Sequence, residues 1–116
     1  MKVLISTSSF CEYSNYPIDL LSKKKWEIIK NPYGRKMNHH EIIDLAQDVN
    51  YIIAGTETYD KKLLNKLTNL KIISRVGVGL DNIDIDFANK KGVLIHNTAL
   101  APSIAVAEFT VSLILN

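Results

Sequence analysis

The chain of 116 residues is poor in the residues that make special architectures. It has one cysteine, Cys11, so no internal disulfide framework can form, and a lone thiol fits a reducing compartment. Three prolines and five glycines are too few for a collagen-like or low-complexity chain. No uninterrupted apolar stretch approaches the roughly 20 residues that a spanning helix needs. The opening Met-Lys-Val-Leu-Ile-Ser-Thr-Ser-Ser has too short an apolar run for a signal peptide and reads as a first strand. Charge of one sign is scarce as well: 14 Lys and Arg against 12 Asp and Glu leave +2. What remains, 47% hydrophobic and 22% charged, is ordinary globular composition at the length of one domain. That excludes intrinsic disorder and a two-domain enzyme. The expectation is a soluble cytoplasmic domain with neither a nucleic acid nor a membrane as partner.

The charge that is present is uneven, with seven Lys/Arg against three acids in residues 1–40 and seven against nine in residues 41–116. The basic run Lys23-Lys24-Lys25 reads as a solvated helix end, where cations favour the C-terminal dipole. A nucleic-acid surface needs more basic residues on one face.

Apolar runs alternate with amphipathic ones. Val3-Leu4-Ile5 is a first strand, followed by the polar loop Ser6 to Ser9. A short helix is expected from Pro17 to Leu21, because Pro suits a first turn. Trp26 to Ile29 is a second strand, closed by the turn signal Asn31-Pro32-Tyr33-Gly34. Asn38 with Glu41 three residues on is a capping box for a helix with the apolar stripe Ile42, Ile43, Leu45 and Ala46. Tyr51 to Ala54 is a third strand, and Asp60 caps the helix after it. Ile72 to Ser74 is a fourth strand. Asp84 caps a helix that ends in Lys90-Lys91-Gly92, cations followed by a C-cap glycine. Val93 to Ile95 is a fifth strand, and Pro102 opens a last helix.

Five strands that are continuous apolar runs, each followed by a helix, belong to a parallel sheet buried on both faces. Right-handed crossovers make this an α/β, flavodoxin-like, doubly wound five-stranded parallel sheet of order 2-1-3-4-5, a three-layer sandwich. Ligands bind such sheets at the carboxyl ends of the strands. The last stretch, Pro102 to Asn116, is apolar almost all round and lacks a stop signal, so it is expected to continue into a longer protein. Exposed, it is expected to make the fragment self-associate through residues 102–116.

The densest feature is Ser74-Arg75-Val76-Gly77-Val78-Gly79-Leu80-Asp81-Asn82. A strand leading into two glycines exposes successive backbone N–H groups that can hold a carboxylate or phosphate, and Arg75 adds charge. On spacing alone a tight turn before Asp84 explains it equally well. The third glycine of the dinucleotide fingerprint is missing.

With its neighbours the segment is identifiable. Ile72 to Asp84, then Lys90-Lys91-Gly92-Val93-Leu94-Ile95-His96-Asn97-Thr98, then Ala105-Val106-Ala107-Glu108, resemble the substrate domain of the D-isomer-specific 2-hydroxyacid dehydrogenases, most closely the phosphoglycerate dehydrogenase branch. The strong match covers about residues 70–115; residues 1–69 agree in layout. The resemblance implies that residues 1–100 form the substrate-binding domain. Residues 101–116, with Ala107 and Glu108, then begin the interdomain helix leading to an NAD-binding domain. It implies that Val76, Gly77, Val78 and Gly79 grip the substrate carboxylate with Arg75 beside them, and that Asn97 and Thr98 sit on the cofactor side of the cleft. The family's Asn-Thr-Pro turn is Asn97-Thr98-Ala99 here. Some members carry an arginine after the third strand, where this chain has Ala54-Gly55-Thr56-Glu57, an acid in place of a possible phosphate contact.

The substrate so implied is a small 2-hydroxy or 2-keto acid, the cofactor NAD, and the parent a homodimer. No catalytic residue falls in this span: the family's dinucleotide loop, catalytic arginine and Glu–His pair lie beyond it, and Arg75, His39, His40 and His96 match none of them. The fragment alone is expected to be inactive. The competing reading is a stand-alone flavodoxin-like module that binds a small molecule without catalysis.

Other residues read more simply. His39 and His40 lack a third metal ligand and suit an early helix surface. Cys11 beside Glu12 is not activated. Asp81 and Asn82 serve a turn. Ser6 to Ser9 are expected to line the same cleft as Gly77, and His96 either faces that cleft or ends its strand.

Overall fold

A computed structural model of the chain describes residues 1–98 and residue 115. The helix expected from Pro102 and the self-association assigned to residues 102–116 lie outside the described residues. Five parallel strands, β1 (Lys2–Ile5), β2 (Glu27–Lys30), β3 (Tyr51–Ala54), β4 (Ile72–Arg75) and β5 (Leu94–Asn97), form one sheet in the order β2-β1-β3-β4-β5. Helices α1 (Tyr16–Ser22), α2 (His39–Ala46), α3 (Lys61–Lys66) and α4 (Ile85–Lys90) connect them. The flavodoxin-like order expected from the alternation of elements is the one observed.

Strand periodicity divides the core between two faces. Leu4, Ile52, Ala54 and Ile73 point to one side, where they meet Ile42 and Ala46 of α2, Leu63 and Leu64 of α3 and Ala88 of α4. Val3, Ile5 and Ile53 point to the other and pack with Leu21 of α1, with Val76 and Leu115 at the margin. Each fully buried aliphatic side chain of this kind contributes about 1.5–3 kcal/mol relative to exposure.

Local signals set the boundaries. Both halves of the capping box form: the Asn38 side chain accepts from Glu41 N at 3.0 Å, and the Glu41 carboxylate accepts from Asn38 N at 3.0 Å. Asp60 and Asp84 cap α3 and α4 by accepting from Leu63 N and Phe87 N. Gly92 takes the left-handed φ of +76° that ends α4.

Two expectations need correction. Burial on both faces holds for the central strands, but β2 and β5 are edges, and Leu94 is 58% exposed. The fifth strand runs from Leu94 to Asn97, not from Val93 to Ile95. Val93 N donates to Ala88 O at 2.9 Å and its side chain is buried, so Val93 completes the α4 turn and pairing starts one residue later. His96 therefore lies within β5, paired with Ser74.

Candidate functional site

Parallel pairing sends the exit loops of β1, β3, β4 and β5 to one edge of the sheet. Arg75, the last residue of β4, is the register partner of Asn97, the last residue of β5. Beyond them the chain segments remain joined. Gly77 N donates to Thr98 Oγ1 at 2.9 Å, Thr98 N donates to Gly77 O at 3.0 Å, and Asn97 Nδ2 donates to Val78 O at 2.8 Å. The residues singled out from sequence, Arg75 to Gly79 and Asn97 to Thr98, thus form one cluster.

Within it the four amides differ. Val76 N continues the ladder by donating to Ala54 O at 2.8 Å, so it is committed to the fold. Gly77 N is held by the Thr98 hydroxyl, a neutral acceptor that a carboxylate outcompetes, because charge-assisted hydrogen bonds are about twice as strong. Among the described residues, Val78 N and Gly79 N find no acceptor. Val78 is 63% exposed and Gly79 is also open to solvent. Of the amides from Val76 to Gly79 expected to grip a carboxylate, two are without an acceptor among the described residues and one is held by Thr98.

Arg75 lies over this turn. Its Nη1 donates to Val76 O at 2.9 Å, and a Cβ on Gly77 would fall 1.5 Å from the same nitrogen. Gly77, at φ +141°, lets the guanidinium cross its Cα. Arg75 Nε is buried and has no partner among the described residues. The cation is therefore seated against the backbone of Val76 and Gly77, where the turn begins.

Three expectations change here. Ser6 does not line the cleft with Gly77: it is buried, and its hydroxyl contacts Ile53 O, Glu57 and Tyr59. Thr7 and Ser8 line a separate cavity of about 210 Å³ with Cys11, Asn15 and Lys30. Glu57 does not replace a phosphate contact, because it is 2% exposed and faces inward. Asn82 does more than shape a turn, since its side-chain amide donates to Gly55 O and Glu57 O. The Cys11 thiol is pushed up by burial, as expected of an inert position. His39 lies 3.7 Å from Asp60, His40 is exposed, and no three potential ligands converge on a metal among the described residues. Among the same residues no helix is long and apolar enough to cross a membrane.

The glycine turn does not fit the pyrophosphate of a dinucleotide. Arg75 covers the face of Gly77, and the next helix, α4, begins only at Ile85 and has six residues.

A parallel five-stranded sheet of order β2-β1-β3-β4-β5, with the exits of β4 and β5 joined at one end, is a flavodoxin-like α/β fold. The chain matches the catalytic domain of the D-isomer specific 2-hydroxyacid dehydrogenases over residues 3–112, and it belongs to that family. It is 32% identical over 116 residues to D-3-phosphoglycerate dehydrogenase of Archaeoglobus fulgidus, covering 99% of this chain and 21% of that protein. It is 52% identical over 63 residues to the Bacillus subtilis enzyme of the same name, covering 54% of this chain and 12% of that one. Among solved structures, NAD+-bound 3-phosphoglycerate dehydrogenase of Entamoeba histolytica superposes with a TM-score of 0.72 at 26% identity, covering 84% of this chain and 32% of that one. The chain spans only about a fifth or less of the curated relatives it matches first.

Proposed function

We propose that this chain is the substrate-binding domain of an NAD-dependent oxidoreductase that moves a hydride between NAD and a small 2-hydroxy acid. The carrying observation is the pair of amides without an acceptor among the described residues, Val78 N and Gly79 N, on the turn at the carboxyl end of β4 whose start, at Val76 and Gly77, the Arg75 guanidinium covers. A carboxylate placed there accepts from the amides and from Gly77 N once the Thr98 hydroxyl yields, with Arg75 opposing its charge. Such a fixed set of donors binds and orients the acid end of the substrate, leaving the 2-carbon toward Asn97 and Thr98.

The phosphoglycerate dehydrogenases among the relatives favour a substrate of that size, but the β3 exit loop offers no cation: Glu57 is turned inward between exposed Thr56 and Thr58. The reading therefore favours a substrate with one acid group at this site. In this reading residues 1–100 are the substrate domain and residues 101–116 start the interdomain helix. NAD, which supplies the hydride acceptor when bound, belongs to residues outside those described. A parent homodimer, self-association of the fragment through residues 102–116 and a cytoplasmic location complete the proposal.

An amide NMR titration with glycolate and D-glycerate tests it. The resonances of Gly77, Val78 and Gly79 are expected to move together and saturably, and Arg75→Ala is expected to abolish the movement. Saturable shifts confined to other loops, or none at all, overturn the reading.

A further inference from the structure

We propose that Asn82, seated on a loop anchored by the buried carboxylate of Glu57, is a positioning residue that holds Val78 N and Gly79 N open. This deepens the function proposed above and rests on it only for the identity of the ligand.

The anchor is an unexpected use of charge. Glu57 sits between exposed Thr56 and Thr58 on the β3 exit loop, yet it is 2% exposed. No salt bridge reaches it among the described residues. A buried carboxylate is costly unless several donors meet it. Here one oxygen, Oε2, accepts from Gly55 N at 2.9 Å and lies within reach of two hydroxyls with one proton each to donate, Ser6 Oγ at 2.9 Å and Tyr59 OH at 3.4 Å. Ser6 Oγ and Tyr59 OH lie 2.6 Å apart, and Ser6 Oγ also reaches Ile53 O at 3.2 Å. The β3 exit loop is thereby wrapped around its own side chain and tied to the end of β1. An apolar residue of similar volume would fill this space at less cost. The carboxylate adds direction: it fixes which way the loop's own carbonyls point.

Those carbonyls point at Asn82. Its Nδ2 donates to Glu57 O at 2.7 Å and to Gly55 O at 3.0 Å, so both amide hydrogens are used. The backbone adds Tyr59 N to Asn82 O at 2.7 Å and Asp84 N to Tyr59 O at 2.9 Å, an isolated parallel bridge between Tyr59 and Ile83. At the other end of the same loop, Thr98 holds Gly77 and Asn97 holds Val78 O. The segment from Gly77 to Asn82 is fastened on the β5 side and on the β3 side. Between the fastenings lie the two amides that find no acceptor among the described residues.

Fastening matters because an unanchored loop must be ordered by its ligand. Fixing the backbone of one residue costs about as much as a tenfold loss in affinity. Asn82 touches neither amide and is not placed to touch the ligand, so its effect on binding passes through the loop.

The experiment compares Asn82→Ala, Asn82→Ser, Glu57→Leu and Glu57→Gln with the unaltered chain. It reads the amide shifts and the {1H}–15N NOE of Val78 and Gly79 without ligand, then with glycolate. Asn82→Ala and Glu57→Leu are expected to move both resonances, lower both NOE values and weaken glycolate about tenfold. Glu57→Gln keeps an accepting oxygen and is expected to keep the loop where Glu57→Leu, of similar bulk, loses it, a contrast that a requirement for bulk alone would not predict. Should Asn82→Ala not fold, Asn82→Ser decides, since its hydroxyl can reach only one carbonyl. Unmoved Val78 and Gly79 resonances in the folded Asn82 and Glu57→Leu variants overturn the positioning role, even if the unaltered chain binds glycolate. If that chain ignores glycolate while the variants still move and loosen these amides, the positioning role stands and the proposed function falls.

Discussion

Thr98 and Gly77 clasp each other across the exits of β5 and β4, the amide of Thr98 donating to the glycine carbonyl while its hydroxyl accepts from the glycine amide. Thr98 is buried, so neither bond is shared freely with water. Thr98→Val keeps shape but removes the acceptor, leaving Gly77 N–H without a partner. Such a donor costs about 1–3 kcal/mol. Urea unfolding is expected to show a loss in that range for Thr98→Val and a smaller one for Thr98→Ser. Equal stabilities for Thr98→Val and the unaltered chain would show that the clasp contributes nothing.

The two glycines of this turn are not equivalent, although the sequence presents them as a pair. Gly77 has φ +141° and Arg75 crosses its Cα, while Gly79 has space around it and no left-handed φ. In Gly77→Ala the flexible guanidinium can swing aside, but the backbone strain persists at about 1–3 kcal/mol. Gly79→Ala is expected to stay within about 0.5 kcal/mol, like other surface changes. Thermal or urea midpoints of both variants check this, and equal losses would contradict the geometry.

What could be read from the residues, and what could not, follows the distance over which each interaction acts. Asn38 and Glu41 are three residues apart, and Asp60 and Asp84 cap the helices directly after them, so local spacing reveals them. The apolar runs of β1, β3 and β4 mark central strands for the same reason. The Glu57–Ser6 bond joins residues 51 apart, Asn82–Glu57 spans 25 and Gly77–Thr98 spans 21. These pairs exist only once crossovers have brought the exit loops together. Nothing local distinguishes an inward Glu57 from a cleft-facing one. The one available signal was a serine directly following the buried run of the first strand, where a hydroxyl needs a partner.

Glu41 links helix start to acid sensitivity. Its pKa is lowered by the bidentate Arg35 pair, at 2.6 and 3.0 Å, and by accepting from Asn38 N. A carboxyl lowered in the folded state stabilises above its unfolded value, near 4.5, and that contribution fades as pH falls through the folded one. Glu41→Gln is therefore expected to flatten part of the stability loss below pH about 4.5 in chemical unfolding curves. An unchanged acid limb would remove Glu41 from the account. Asn38→Ala, which breaks the other half of the box, is expected to cost about 1 kcal/mol at neutral pH.

At the alkaline end Tyr59 takes the corresponding part with opposite sign. Burial raises its pKa well above 10.0, and the Glu57 charge adds to this, against a partial offset from the Ser6 hydrogen bond. The folded protein holds the phenol proton more tightly than the unfolded chain does. Stability is then complete below the unfolded value, near 10, and is lost as pH rises from there toward the folded one. Tyr59→Phe removes the titration together with the hydroxyl bonded to Ser6 and Glu57, at a cost of about 1 kcal/mol at pH 8. Urea midpoints measured from pH 8 upward are expected to fall for the unaltered chain past pH 10 and to fall less for Tyr59→Phe, so that the two curves converge. Parallel curves over that interval would mean that the phenol titrates alike in both states, and the buried cluster around Glu57 would need a different description.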